Sequence, residues 1–254
     1  MNWQSDWLQR SPLFAPLSIL PSGLTGSDDW ISADRLSQYA ATHRIANAFG
    51  QLIRFTAAVS ELAYEAQIAA SGCVPTRPEN WHDYFNALAW LIWPHSKAAL
   101  NQLHVNAGIT AQRNRSRDAL TLLDESGVIV ACSDPELWQL LQTHQWQELF
   151  VEQRERVKRG MAFHLLGHSL YEKALQPYPA MTGKCQVIMV QTDFFALNLA
   201  QRQQRLDQLL ARQLLQHPPL TPGEFAALPV LGIPGVTAEN SDPSYYQNTK
   251  VFRP

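Results

Sequence analysis

The chain has 254 residues, of which 46% are hydrophobic and 17% are charged, so it can bury a sizeable core without disulfides or structural metals. Its formal net charge of -2 does not supply the broad positive field that accompanies nucleic-acid or anionic-membrane binding. Three widely spaced cysteines without a CxxC pair exclude a zinc ribbon and favour a reducing cytoplasm. Residues 1–20 lack a secretion-signal pattern, and the chain lacks an apolar run of about 18 residues, so we expect no membrane partner.

The first part of the chain is predicted to be an irregular arm followed by short regular elements. Residues 1–31 are rich in Pro, Ser, Gly and Trp, and Ser32 then fits the N-cap of a first helix. The apolar run within 51–57 has the character of a strand. Ser60 is a plausible cap for a second helix, which stops at Gly72.

The middle of the chain combines a helix with a predicted hairpin. From Trp81 the apolar residues fall at helical spacing until Pro94 breaks the pattern. Two β-prone runs flank the loop 124–127, which ends in glycine. The sequence therefore predicts an antiparallel hairpin over 119–132.

The last part is predicted to contain a helix, a strand, another helix and an arm. Apolar residues within 161–175 lie on one stripe, which predicts a continuous helix. The Val- and Ile-rich run 185–191 predicts a buried strand, and a long helix follows through about Leu215. The tail 218–254 is rich in Pro but also in large apolar residues, so we expect an ordered arm that wraps the body.

These elements predict an α+β fold, namely a predominantly helical single domain over 1–254 with a small antiparallel sheet. The sheet would contain the hairpin 119–132 and the strands near 51–57 and 185–191. A single domain is preferred because the chain has no internal repeat and no polar linker.

Four separated segments carry a family resemblance. They are Val74–Arg77 with Asn80–Leu88, Pro94, Lys97 and Asn101; Arg117–Glu125; Gly167 and His168 with Glu172 and Lys173; and Leu228–Gly235 with Val251–Pro254. In this order they resemble an uncharacterised bacterial family, the domain-of-unknown-function family 3025, over most of the chain from about Leu52. The resemblance implies no activity, substrate or cofactor that could be carried over.

The segment Trp81, His82 and Asp83 is the clearest candidate for a site. If Asn80 is the N-cap, His82 and Asn86 share a helix face, and the helix dipole opposes protonation of His82. A neutral imidazole can act as a base or as a metal ligand. Asp83 has an alternative structural explanation, because an acid three positions after an Asn cap resembles a capping box. We keep His82 and Asp83 as candidate catalytic residues.

A second set of candidates lies on the helix predicted over 161–175. His164, His168 and Glu172 recur every four residues, and two His with a carboxylate form a ligand set for zinc or non-haem iron. The three span about 12 Å along a helix axis, which is too far for one metal ion. We therefore expect His168 and Glu172 to act with His82 in catalysis, with a divalent metal as the candidate cofactor. The alternative is a set of hydrogen-bonded or surface pairs.

The residues Gly167, His168 and Ser169 resemble the first positions of a G-x-S-x-G nucleophile elbow. The fifth position is Tyr171, where an elbow needs a small residue. A continuous helix would also lack the strand that must precede an elbow. A serine hydrolase is therefore disfavoured.

Several charged and polar residues are candidates for substrate binding. Arg77, Lys97 and Arg117 are candidate anion-binding neighbours of the site, joined by Asn86 and Asp118. Arg113, Arg115 and Arg117 alternate and would point the same way in an extended chain, where they could bind phosphate. The alternative is a solvated edge that discourages strand pairing.

Three functional hypotheses follow. The first is an enzyme-like pocket for metal-assisted or acid/base hydrolysis of a small or phosphorylated substrate, formed where the Trp81 helix meets the helix of His168. The second is a non-catalytic binding or assembly protein in which the Trp-His-Asp and Gly-His segments are structural. The third is nucleic-acid binding through Arg113, Arg115 and Arg117, which the net charge of -2 disfavours.

Overall fold

The computed structural model describes residues 2–58, 62–108 and 114–253, in which helices outnumber strands. The α-helices are α1 (Ser22–Thr25), α2 (Ala33–Thr42), α3 (Tyr64–Ser71), α4 (Trp81–Ile92), α5 (Pro94–Asn106), α6 (Arg115–Ser126), α7 (Pro135–Gln142), α8 (Arg154–Gly160), α9 (His168–Ala174) and α10 (Leu199–Gln216). The strands are β1 (Arg54–Thr56), β2 (Cys73–Pro75), β3 (Gly127–Cys132), β4 (Met161–Leu165), β5 (Thr182–Met189) and β6 (Ala226–Pro229). The predicted α+β, predominantly helical class is confirmed.

A four-stranded mixed sheet with the order β4-β3-β5-β6 lies at the centre of the fold. Strand β3 is buried along its whole length, pairs antiparallel with β4 and runs parallel to β5. The strand predicted near 185–191 is confirmed as β5. The prediction of a purely antiparallel sheet is wrong, because the chain crosses over between β3 and β5 instead of turning back directly.

The hairpin predicted over 119–132 is also wrong. Residues Arg115–Ser126 form α6, whose N-terminus is capped by the Asn114 side chain, and Gly127 begins β3 without an intervening loop. Ala119, Leu120 and Leu123 are buried, which is the spacing of one helix face. A short apolar run does not by itself distinguish a helix from a strand, and here the burial of one face selects the helix.

A separate pair of short parallel strands, β1 and β2, lies outside the main sheet. The strand predicted over 51–57 therefore exists in shortened form but does not join the central sheet. The helix after it ends, as predicted, at Gly72, which has a φ of 69°. A Cβ atom there would overlap the carbonyl oxygen of Leu52, so glycine is required. Ser60, its predicted cap, lies outside the described residues.

The continuous helix predicted over 161–175 is wrong, because the segment divides into strand β4 and helix α9. Val128 of β3 faces Leu165 of β4 in the antiparallel register. The backbone N–H groups of Leu166 and Gly167 then donate to the carbonyl oxygen of Gly127 at 3.0 Å. The β4–α9 junction is thereby fixed against the α6–β3 junction.

Both terminal arms pack against the body in the described ranges. The aromatic rings of Trp3 and Trp81 stack with centroids 4.8 Å apart, and Trp7 and Phe14 are fully buried. At the other end β6 joins the main sheet through β5. The long helix predicted near the C-terminus is α10. Asn198 caps it, and a 3-10 turn precedes it. No helix within the described ranges has the length and apolarity to cross a membrane.

Candidate metal centre

Three helix ends converge at one point of the molecule. His82 is the second residue of α4, His168 is the first residue of α9, and Glu125 is the penultimate residue of α6. Helix α4 begins where the sequence predicts it, because the Asn80 side chain accepts a hydrogen bond from the Asp83 N–H at 3.0 Å. The packing of α4 on α9 and the paired junctions of β3 and β4 then bring the three side chains together.

The side chains of His82, His168 and Glu125 offer three ligand atoms to one point. The two Nε2 atoms lie 3.2 Å apart, and Glu125 Oε1 lies 3.6 Å from His168 Nε2 and 3.9 Å from His82 Nε2. All three atoms fall within 4.8 Å of one another. Two imidazole nitrogens on a tetrahedral zinc ion are separated by about 3.3 Å, given Zn–N bonds of about 2.0–2.1 Å. The spacing therefore suits a single metal ion.

Carboxylates lie behind both imidazole rings. His82 Nδ1 is 3.0 Å from Glu172 Oε2, and because a carboxylate only accepts, the Nδ1–H donates. The other ring nitrogen of His82, Nε2, then faces His168. His168 Nδ1 is buried without a hydrogen-bond partner, and Asp124 Oδ2 is 3.9 Å from it.

This arrangement restricts the tautomer of His168. A proton on Nδ1 of His168 faces the Asp124 carboxylate favourably, whereas a lone pair there would face a negative charge at 3.9 Å. With the proton on Nδ1, His168 directs the lone pair of its Nε2 toward His82 Nε2, 3.2 Å away. Either a proton or a metal ion between the two Nε2 atoms would be stabilised by this lone pair. The geometry therefore matches the carboxylate–histidine–metal arrangement of metalloenzymes.

Burial and neighbouring charges determine the protonation states of His168 and Asp124. Desolvation lowers the pKa of His168 to about 4 against the opposing charge of Asp124, so the ring is neutral at pH 7. Burial opposes ionisation of Asp124, but the ammonium of Lys97, 2.6 Å away, and the nearby histidines His168 and His104 together outweigh it and lower the pKa of Asp124. An ionised carboxylate is thus held next to a neutral imidazole.

Lys97 and Asn86 form a buried polar network under the cluster. Lys97 is 3% exposed, donates to Asp124 and, at 2.9 Å, to Asn86 Oδ1. Asn86 in turn donates to the Tyr64 hydroxyl at 2.6 Å, and burial of that hydroxyl raises the pKa of Tyr64. Lys97, a candidate anion-binding residue from the sequence, is therefore enclosed by protein groups rather than presented to a ligand.

Asp83 does not complete a capping box. Its carboxylate accepts from the Arg77 backbone N–H at 2.7 Å and from the Arg77 guanidinium at 2.8 and 2.9 Å. Burial opposes the ionisation of Asp83, but the hydrogen bonds and charge of Arg77 outweigh it and lower the pKa of Asp83. The function of this carboxylate in the fold is to orient Arg77, whose side chain is 67% exposed.

A cavity of about 480 Å³ opens in front of the cluster. Among the residues named from the sequence, its walls include His82, Asp83, Asn86, His168, Arg77 and Arg117. Glu172 and Lys97 lie behind the wall, and Asp118 is not part of it. Sequence reasoning missed Tyr64, Glu65, His104, Thr121, Asp124 and Glu125, which also line the cavity. Asp124 and Glu125 belong to one of the family-like segments, but their assignment to a hairpin turn concealed them.

Two residues of the predicted histidine stripe are separated by the fold. His164 lies in β4, is buried and has Nδ1 3.0 Å from Gln203 Oε1. Burial lowers the pKa of His164 to about 4. The cavity wall includes His168 but not His164. His164 is therefore a hydrogen-bonded core histidine, and only His168 and Glu172 of the three approach His82.

Ser169 does not form a catalytic triad with His82 and Glu172. A strand does precede it, but Ser169 lies one residue inside α9 and not on the turn. Its Oγ is 3.5 Å from His82 Nδ1, the same nitrogen that bonds Glu172. A triad needs two different ring nitrogens, one for the serine and one for the acid. Ser169 instead hydrogen-bonds the Glu125 carboxylate.

The alternating arginines do not lie on an extended strand. Arg115 and Arg117 occupy the first turn of α6, so their side chains do not share one direction, and that prediction is wrong. Arg113 lies outside the described residues. Of the arginines, Arg117 reaches the cavity wall together with Arg77.

The fold and the cluster define the class: a predominantly helical α+β domain with two histidines and a glutamate gathered at three helix ends. The chain belongs to the family described as protein of unknown function (DUF3025), whose profile matches residues 53–254. This confirms the resemblance, and the match contains every residue of the cluster. Comparisons with curated proteins and with solved structures gave no significant match.

Proposed function

We propose that the protein is a hydrolase that uses one divalent metal ion, most simply zinc, bound by His82, His168 and Glu125. The observation that carries the proposal is the pair of facing Nε2 atoms, 3.2 Å apart, with Glu125 Oε1 beside them. This set differs from the metal candidates named from the sequence in one member, since Glu125 replaces Glu172.

Glu172 and Asp124 support the proposal from behind the ligands. A metal-bound histidine usually directs its second N–H at a carboxylate, which fixes the ring and increases its basicity. Glu172 does this for His82 at 3.0 Å, and Asp124 faces His168 Nδ1. Both carboxylates therefore lie where they would steady a ring whose Nε2 is a metal ligand.

A zinc ion held by His82, His168 and Glu125 would have room for a water molecule as a further ligand. Zinc lowers the pKa of such a water to about 7 and makes it a nucleophile at neutral pH. In the hydrolysis, the water oxygen forms a bond to the acyl carbon or phosphorus. The bond to the leaving group breaks, its electron pair stays on the leaving group, and the proton from water ends there.

Charge favours a small anionic substrate. A divalent ion bound by two neutral histidines and one carboxylate leaves the centre with a net charge of about +1. Arg77 and Arg117 add positive charge to a wall that also carries Glu65, Asp83 and Asp124, of which Asp83 is paired with Arg77 and Asp124 with Lys97. A cavity of about 480 Å³ has the size of a small-molecule site. A phosphate ester or a carboxylate-bearing ester or amide fits this description.

The three cysteines support a location in a reducing compartment, and we infer the cytoplasm. Cys73, Cys132 and Cys185 are all free thiols. Cys132 and Cys185 are buried and apart, as expected for cysteines that pack as small apolar residues.

Metal binding tests the proposal first. The purified chain would be stripped with a chelator and titrated with zinc by calorimetry, with elemental analysis of the untreated protein alongside. We expect one zinc per chain and a loss of affinity of more than about 100-fold in His82→Ala, His168→Ala and Glu125→Gln. His217→Ala, at an exposed histidine, is the matched control and should bind zinc normally.

Circular dichroism would show that each variant is folded. A native chain that binds no divalent metal overturns the proposal and favours the non-catalytic alternative, in which the cluster only holds helices together. Normal zinc binding by the three variants also overturns it.

Hydrolysis tests the second half of the proposal. p-Nitrophenyl phosphate and p-nitrophenyl acetate probe phosphoryl and acyl transfer, and we expect zinc-dependent release of nitrophenol from one of them that Glu125→Gln abolishes. Preferential binding of Fe²⁺ with oxygen consumption and no hydrolysis would assign the ligand set to non-haem iron chemistry instead.

A further inference from the structure

A second cavity of about 310 Å³ adjoins the one in front of the metal ligands. The two cavities share three wall residues, Ala57, Thr76 and Arg77. Because the same side chains form part of both walls, the two spaces are neighbours on either side of Arg77. A ligand that extends past Arg77 would contact the walls of both.

The second cavity has an apolar and rigid side. Trp30, Ile31, Leu36 and Tyr84 contribute to its wall. Trp30 packs against Trp3 and Trp81 with ring centroids 5.0 and 4.9 Å apart, so its position is set by the aromatic cluster behind it. An aromatic or branched aliphatic group is the chemistry that such a wall accepts.

Arg77 is oriented before any ligand arrives. Asp83 accepts from the Nε and Nη2 atoms of its guanidinium and from its backbone N–H. The Nη1 group is not used in these bonds, and the side chain is 67% exposed. A guanidinium that is fixed along one edge and open along another is suited to bind an anionic oxygen.

We propose that the two cavities form one substrate cleft and that Arg77 determines its specificity. The substrate is a small amphipathic anion. Its phosphate or carboxylate lies between the metal centre and Arg77, and its aromatic or branched aliphatic end lies against Trp30. This inference rests on the proposed function, because it places the reacting group at the metal centre.

The direct test uses the zinc-loaded full-length chain and a short series of non-hydrolysable probes. Inorganic phosphate, phenylphosphonate and 3-phenylpropylphosphonate would be titrated by calorimetry, with 4-phenylbutanoate as the carboxylate counterpart. We expect the phenylpropyl compound to bind at least about tenfold more tightly than inorganic phosphate, because its ring leaves water. Comparison with 4-phenylbutanoate distinguishes a phosphate site from a carboxylate site.

Two variants separate the apolar compartment from the anion contact. Asp29→Trp places a bulky side chain at an exposed position that lines the second cavity but not the first, and should remove the gain from the phenyl ring while leaving inorganic phosphate binding unchanged. Arg77→Lys keeps the positive charge but loses the bidentate geometry of the guanidinium, and should weaken the binding of all of these anions by about tenfold. Ala41→Trp and Arg54→Lys, at exposed positions outside both cavities, are the matched controls.

The outcomes distinguish this inference from the proposed function. If zinc binds but inorganic phosphate and 3-phenylpropylphosphonate bind equally, or Asp29→Trp changes nothing, the extended cleft is wrong while the metal centre stands. If zinc itself does not bind, both proposals fail together.

Discussion

His82 and His168 are 86 positions apart in the chain, yet their Nε2 atoms lie 3.2 Å apart at the N-termini of two packed helices. Each ring has a carboxylate near its other nitrogen, Glu172 for His82 and Asp124 for His168. The four groups follow one another in the order Glu172, His82, His168 and Asp124. The middle of this series faces Glu125, which is where we expect a metal ion.

The Glu172 carboxylate should tune metal affinity without touching the metal. Glu172→Gln keeps the shape of the side chain but removes the charge that faces His82 Nδ1 at 3.0 Å. We expect zinc affinity to fall by about 10- to 100-fold, measured by calorimetry with a competing chelator. Glu148→Gln, at an exposed glutamate, serves as the control. Unchanged affinity in Glu172→Gln would mean that Glu172 does not act on the metal site.

Lys97 should be essential for stability because it compensates a buried charge. Lys97→Met leaves the Asp124 carboxylate without the partner that now lies 2.6 Å away. Breaking a buried ion pair from one side typically costs about 3–5 kcal/mol of unfolding free energy, measurable by urea denaturation. The double variant Lys97→Met/Asp124→Asn should recover part of the loss, because no unpaired charge then remains. A single variant as stable as the native chain contradicts this account.

The contact between His95 and Asp207 should make stability depend on pH. Asp207 Oδ2 lies 2.8 Å from His95 Nδ1, and this hydrogen bond raises the pKa of His95 above its ordinary value of 6.5. The folded state therefore binds the proton more tightly than the unfolded state. The stabilisation is complete below about pH 6.5 and is lost as the pH rises through the raised folded pKa.

Urea denaturation between about pH 5.5 and 9 would measure this dependence. We expect His95→Gln to lose the part of the pH dependence that begins near the ordinary histidine pKa, and His217→Gln to keep it. An identical slope in the native chain and in His95→Gln would exclude His95 as its source.

Gly167 should couple stability to metal binding. A Cβ atom there would lie 2.5 Å from Gly127 N and 2.6 Å from the Glu125 carbonyl oxygen, so the two backbone junctions would have to separate. We expect Gly167→Ala to destabilise the fold by about 1–3 kcal/mol and to weaken zinc binding, because Glu125 and His168 sit on opposite sides of this contact. At Gly223, in contrast, the nearest atom would be 3.7 Å away, and Gly223→Ala should be neutral in both measurements.

Local signals in the sequence determined several features correctly. Helix α4 follows from the Asn80 cap and the helical spacing after Trp81, and the end of α3 follows from Gly72 with its φ of 69°. These features depend on a few neighbouring residues, since a cap or a left-handed glycine satisfies backbone groups within one turn. His82 stood out because the capping pattern gave Asp83 a structural role but gave none to the imidazole of His82.

Only the tertiary structure decided which side chains come together in the candidate metal centre. The segment 161–175 has helical spacing throughout, yet its first part pairs with β3 as strand β4, because interstrand hydrogen bonds to a buried strand outweigh local preference. That pairing separates His164 from His168 and places Glu125 beside His168. Contacts between residues distant in the chain leave no periodic pattern in the sequence. The sequence therefore identified the two histidines, and only the packing of α4, α6 and α9 selected the carboxylate that completes the candidate metal centre.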